Sequence, residues 1–153
     1  MRPARSAWPV SNKAFFFKQK TAYDINEGVV GVYPGVDMHI VKIFNDNGQW
    51  TYASDLIDAI SQCQDAGSNV VNMSLGGGSS STTERNAMQS FTDAGMLLVA
   101  AAGNDGNSAK SYPASYDAVM SVAAVDSNEN RASYSQYNDQ VEIAAPGSAV
   151  QST

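Results

Sequence analysis

The sequence predicts an α/β fold, a doubly wound parallel sheet with helices on both faces, and three observations predict it. From residue 25 onward, short apolar runs alternate with amphipathic segments, the pattern left by strands of a parallel sheet and the helices that cover them. Two of the apolar runs pass directly into loops of glycine and small polar residues, as strands do at the carboxyl end of such a sheet. The length of 153 residues suits one domain and one core.

The elements follow in order. Residues 39–44 read as a strand. Over residues 53–66, Ala53, Leu56, Ile57, Ile60 and Cys63 recur every three or four positions and make one helical stripe, with Thr51 as a cap before it and Gly67 as the stop. Residues 69–74 are a short, partly β-branched run, followed by Gly76, Gly77, Gly78, Ser79 and Ser80, which can only be a loop. Ser81 with Glu84 three positions later is a capping box, and Ala87, Met88 and Phe91 then line a helix that ends near Gly95. Residues 96–102 are apolar throughout, the mark of a strand buried on both faces. A second polar loop, 103–107, follows it. Residues 119–125 and 141–144 read as two further strands, the last closed by Pro146 and Gly147.

Residues 1–24 stand apart. They carry five basic side chains and one acidic, whereas residues 25–153 carry four and fourteen, so the body has a net charge of −10. Their apolar positions, including the Phe15, Phe16 and Phe17 triplet, follow neither helical nor strand periodicity. The segment is therefore expected to be disordered or foreign to the fold, and the stretch 15–24 resembles non-native sequence found at the ends of assembled gene fragments. The acidic body repels phosphate backbones and argues against a nucleic-acid partner. No apolar run approaches the ~20 residues of a bilayer span, and the N-terminus lacks the apolar segment of ~7–15 residues of a secretion signal. A single cysteine, Cys63, leaves no internal disulfide and is expected to be a small buried hydrophobe.

Chemistry is expected in the loops after Met73 and Ala102, at the carboxyl ends of strands. Glycine there lets bare backbone approach a ligand, and an extended peptide would pair with such an edge as an added strand. Asn104, after an apolar run and a glycine, is placed to aim two N–H donors at a developing oxyanion. The bland reading of Asn104 is a turn former between Gly103 and Gly106. A phosphate-binding loop is the rival for residues 74–78, but no Gly-x-Gly-x-x-Gly follows a strand and no Lys-Ser or Lys-Thr pair completes a nucleotide loop.

Ser74-Leu75-Gly76-Gly77 after Val70-Val71-Asn72-Met73, then Val99-Ala100-Ala101-Ala102-Gly103-Asn104, resembles the centre of the subtilisin-like serine endopeptidases. Tyr112-Pro113-Ala114-Ser115-Tyr116, Val122-Ala123-Ala124-Val125-Asp126 and Ala144-Ala145-Pro146-Gly147 continue the resemblance in the same order, and Gly28 to Val32 and Val41 to Ile43 also fit it. The resemblance covers about residues 26–153 and implies that residues 25–153 are a partial, incomplete peptidase domain. It implies that Ser74, Leu75 and Gly76 pair with an extended polypeptide substrate and, with Gly77, wall the pocket for the side chain before the scissile bond. Ala101, Ala102 and Gly103 would form the opposite wall, and Asn104 would be the oxyanion-hole asparagine. In a member of this family itself, loss of such a donor costs roughly 3 kcal/mol. The resemblance also implies a structural calcium on backbone carbonyls near Ala114, Tyr116 and Val119, no required cofactor, no membrane partner, and a family whose members are usually secreted.

Acyl transfer by serine needs a nucleophile, a histidine and a carboxylate, in this family in the order Asp, His, Ser. The one histidine, His39, lies between Met38 and Ile40 and lacks the family's histidine-motif neighbours. Asp24 follows Thr-Ala-Tyr and not a buried β-branched strand. None of the nineteen serines has the nucleophile's Gly-Thr-Ser-Met-Ala context. The chain therefore reads as the substrate-binding and oxyanion centre of a peptidase without its triad, inactive by itself. A catalytically inactive peptide-binding module and a nucleotide-binding doubly wound domain are the other two readings.

Overall fold

The computed structural model describes residues 13–17, 37–44 and 53–150. Six strands, β1 (Lys13–Phe17), β2 (Asp37–His39), β3 (Val70–Met73), β4 (Leu97–Ala101), β5 (Val119–Val125) and β6 (Val141–Pro146), form one sheet in the order β2-β1-β3-β4-β5-β6. Every pairing is parallel. Helix α1 (Ala53–Asp65) joins β2 to β3, and α2 (Thr82–Asp93) joins β3 to β4. The fold is thus an α/β parallel sheet with helices.

Both helices arise where the apolar spacing places them. α1 buries Leu56, Ala59, Ile60 and Cys63, and α2 buries Met88 and Phe91. Fully burying a side chain of leucine or isoleucine size is worth about 1.5–3 kcal/mol, which anchors α1 to the inner residues Val71, Met73, Leu98 and Ala100 of the sheet. The helices end alike. The Gly67 N–H donates to the Gln64 carbonyl at 2.8 Å and the Ser68 N–H to Cys63 at 3.1 Å, while Gly95 donates to Thr92 at 2.9 Å and Met96 to Phe91 at 3.1 Å. This double bonding past the helix end needs a left-handed residue, and Gly67 and Gly95 supply it at φ +80° and +96°.

Among the described residues both helices pack on one face, where they touch each other. The reason is topological: β2 to β3 and β3 to β4 cross the sheet in the same direction, and right-handed crossovers in one direction lie on one side. Strand β4 consequently alternates, with Leu98 and Ala100 buried at 1% and Leu97 exposed at 43%. The expectation of a strand buried on both faces is corrected to that extent, because no described element covers the side bearing Leu97 and, on β6, Ile143.

Three other expectations change. Part of the segment read as unstructured, Lys13–Phe17, is a strand paired with both β2 and β3. A short interior strand reads as a continuous apolar run, so the absence of alternation in the phenylalanine triplet was no argument against one. The strand expected over 39–44 is Asp37–His39; beyond it the chain leaves the ladder and tucks Phe44 into the core. The Ser81 cap forms, its hydroxyl accepting the Glu84 N–H at 3.4 Å, but Glu84 does not return the bond; its carboxylate turns to Tyr116. Thr51 lies outside the described residues. Cys63 is fully buried, and burial pushes its thiol up to about 12, so it is an inert core residue.

Candidate active site

The two loops singled out in the sequence leave the same end of adjacent strands. Met73 of β3 and Ala100 of β4 are register partners, so Ser74 and Ala101 start about 4.8 Å apart at the carboxyl edge of the sheet. The first of the two loops also borders the point where the strand order reverses, between β1 and β3, and open α/β sheets bind ligands at such points.

In the first loop Leu75 is buried and pins the chain beside the core. Gly77 pairs with Tyr112 through two backbone bonds, its N–H donating at 2.9 Å and its carbonyl accepting at 2.8 Å. Between these holds, the backbone groups of Leu75 and Gly76 take part in no hydrogen bond among the described residues. Ser74 accepts a side-chain bond from Asn72 at 3.4 Å. A Cβ at position 76 would stand 2.5 Å from Ser111 Oγ, whereas position 77 has nothing within 4 Å. A side chain at position 76 would have to displace the Ser111 hydroxyl, whereas position 77 is open.

The second loop is held differently. Ala102 is buried and donates its N–H to Val122 at 3.0 Å. Gly103 sits at φ +115°, and the Gln136 carboxamide fills the volume its Cβ would take. The Gly103 carbonyl accepts the Gln136 N–H at 3.1 Å, the Gly106 N–H donates to Tyr134 at 2.7 Å, and the Asn107 carbonyl accepts the Tyr137 N–H at 3.0 Å. At the far end the Ala109 carbonyl accepts Gln136 Nε2 at 2.7 Å and Asn138 Nδ2 at 3.1 Å. Asn104 is exposed on this stapled loop, and its carboxamide has no hydrogen-bond partner among the described residues. Ala101 is exposed, with its side chain on the face opposite the helices.

Tyr116 is a residue the sequence reasoning did not single out for this work. Its hydroxyl accepts the Ser81 N–H at 2.8 Å and donates to Glu84 Oε2 at 2.8 Å, so one phenol closes the start of α2. Its ring lies 4.7 Å from that of Tyr112, and the Arg85 guanidinium stands 5.8 Å from its centre. Burial pushes the Glu84 carboxyl above the usual range, partly offset by the Tyr116 bond. Burial likewise pushes the Tyr116 hydroxyl up to about 12, against the pull of its bond to Ser81. Glu84 Oε1 is buried with no partner among the described residues. Gln136 was also missed. No periodicity marks either residue, because each acts across long sequence separations.

Of the other candidates, His39 is exposed at the end of β2, two strand spacings or about 10 Å from β3. Asp24 and Ser152 lie outside the described residues. The described residues hold no group of three or more His, Cys, Asp or Glu side chains able to share a metal. Ala114, Tyr116 and Val119 are buried, and the Tyr116 carbonyl accepts the Val119 N–H at 2.9 Å.

The model of the subtilase family matches residues 19–153. Subtilisin DY of Bacillus licheniformis is 43% identical over 136 residues, covering 86% of this chain and 49% of that one. A thermostable alkaline protease of Halalkalibacterium halodurans is 45% identical over 126 residues, 82% of this chain and 35% of the other. The crystal structure of a psychrophilic subtilisin-like protease from the Antarctic psychrotroph Pseudoalteromonas sp. AS-11 superposes with a TM-score of 0.72 at 60% identity, over 80% of this chain and 28% of that one. This chain thus spans about half the length of these relatives or less. With its parallel sheet, its paired glycine loops and this family match over most of its length, the chain belongs to the subtilase family.

Proposed function

We propose that the chain is the central part of a subtilisin-like serine endopeptidase, carrying the segment that binds an extended polypeptide and the donor that stabilises the oxyanion. The observation that carries this reading is the pair of groups at one sheet edge that have no partner among the described residues: the Leu75 and Gly76 backbone on one loop and the Asn104 carboxamide on the next. An extended peptide laid along residues 74–76 gains main-chain bonds as an added strand. Gly77, Ala101, Ala102 and Gly103 flank the residue before the scissile bond, and Asn104 donates to the carbonyl oxygen as it becomes negative. His39, the one histidine of the sequence, stands too far from this edge to take a proton from a nucleophile here. The chain by itself is therefore proposed to bind peptide without turnover.

The test is hydrogen exchange with an extended hydrophobic peptide amide. The expected result is protection of the Leu75 and Gly76 amides, together with no stoichiometric labelling by a serine-directed phosphonate. Peptide binding that leaves these amides unprotected, or no binding, overturns the reading. The calcium implied by the family is part of the same proposal. The carbonyls of Ala114, Tyr116 and Val119 are hard oxygen donors suited to that ion, and the Tyr116 carbonyl keeps a second lone pair beside its bond to Val119. A Tm raised by calcium and lowered again by EDTA is expected; an unchanged Tm removes the ion.

A further inference from the structure

We propose that Gln136 is the positioning residue of Asn104, setting the direction in which the oxyanion donor points; this rests on the reading of Asn104 above. Asn104 has no hydrogen bond of its own among the described residues, so its orientation is inherited from the backbone that bears it. That backbone begins with the peptide joining Gly103 to Asn104, whose carbonyl accepts the Gln136 N–H at 3.1 Å. The peptide adopts its direction because Gly103 holds φ +115°, a conformation only glycine takes readily. The Gln136 carboxamide then occupies the side of Gly103 where a side chain would stand.

The same residue reaches the other end of the loop. Gln136 Nε2 donates to the Ala109 carbonyl at 2.7 Å, so one side chain and one main-chain N–H bracket residues 103–109. Gln136 is 3% exposed, and its neighbour ties it to the sheet: Ser135 Oγ accepts the Ala124 N–H of β5 at 2.9 Å, and the Ser135 carbonyl accepts Arg131 at 2.6 Å. A rigid strand thus sets Gln136, Gln136 sets Gly103, and Gly103 sets Asn104. Such second-layer support places a donor within the tolerance that transition-state stabilisation demands.

The test compares Gln136→Ala, Gln136→Glu and Asn104→Ala. Gln136→Glu keeps the shape and removes the donor to Ala109, which guards against simple loss of folding. In this chain, both Gln136 variants are expected to speed exchange of the two stapling amides, Gly106 and Tyr137, by about tenfold, with exchange in β3 unchanged. Unchanged exchange at Gly106 and Tyr137 overturns the proposal whatever the activity. In the full protease of which this chain is read as the centre, Gln136→Glu is expected to lower kcat by roughly 10–100-fold with KM held within about twofold. A merely structural role would move Tm and leave that split absent. If Asn104→Ala lowers kcat and the Gln136 variants do not, the positioning role fails and the oxyanion reading stands. If Asn104→Ala leaves kcat intact, the oxyanion reading itself fails.

Discussion

The two loops of the candidate site start side by side and are built on opposite principles. The loop after β3 is held by the buried Leu75, by the Asn72 bond to Ser74, by the two bonds between Gly77 and Tyr112 and by Tyr116 at Ser81, and among the described residues it leaves the main chain of Leu75 and Gly76 unpaired. The loop after β4 is fastened by five bonds to residues 134–138 and leaves the Asn104 carboxamide without a partner among the described residues. The difference matches two tasks. A surface that recognises a polypeptide through its backbone must keep backbone groups available, and small adjustments let it accept many sequences. A donor aimed at a developing charge gains by being fixed beforehand, since reorganisation at the moment of reaction would cost part of its effect.

Substitutions can break this contrast, and the largest effect is expected at Gly103. Gly103→Ala both forces alanine to φ +115° and drives its methyl into the Gln136 carboxamide, so a loss of about 2–4 kcal/mol is expected from urea unfolding. A loss under about 0.5 kcal/mol would show that the loop is not fastened in this way. Tyr116→Phe is next. It leaves the Ser81 N–H and the buried Glu84 carboxylate without their shared partner, at a cost of about 1–3 kcal/mol measured the same way.

The first loop is sharpened by a pair of neighbours. Gly76→Ala places a methyl 2.5 Å from Ser111 Oγ and is expected to cost about 1–3 kcal/mol, partly restored by Ser111→Ala, whereas Gly77→Ala meets open space and is expected to stay within about 0.5 kcal/mol of wild type. Equal costs at the two positions would contradict the close approach of Ser111. The smallest effect concerns pH. Glu84 has a folded carboxyl raised by burial, so its contribution is fully present below the ordinary value of 4.5 and is lost as pH rises through the folded value. Glu84→Gln keeps an acceptor for Tyr116 and removes that dependence. The Tm of wild type relative to Glu84→Gln is expected to fall as pH is raised from 4 to 7, and a constant difference would speak against a strained ionised carboxylate.

Local rules made much of this legible. The spacing of Leu56, Ile60 and Cys63, the Ser81 cap and the glycines at 67 and 95 each act within one or two helical turns, and the structure follows them. The strands from Val70 to Pro146 were legible for a related reason, being apolar runs ended by glycine, proline or polar loops. What stayed hidden depends on partners far along the chain. The phenylalanine triplet forms a strand because β2 and β3 flank it. Residues 40–44 leave the ladder because Phe44 finds the core. Glu84 makes no reciprocal capping bond because the Tyr116 hydroxyl takes the Ser81 N–H and donates to the Glu84 carboxylate, and Gln136 matters because its carboxamide reaches Gly103. At the site, motif resemblance located Ser74 to Gly77 and Ala101 to Asn104, but no sequence pattern could show that one loop is open and the other stapled.

The all-parallel ladder carries a kinetic consequence. None of the six described strands can zip onto its neighbour through a tight hairpin: Met73 must wait for Ala100, and Ala101 for Val122, until the chain between them has closed. Each rung therefore demands a long loop closure before any bond rewards it. Assembly is expected to be slow for a polypeptide of this size, and the unpaired strand edges present meanwhile are the period of greatest exposure to mispairing with other copies.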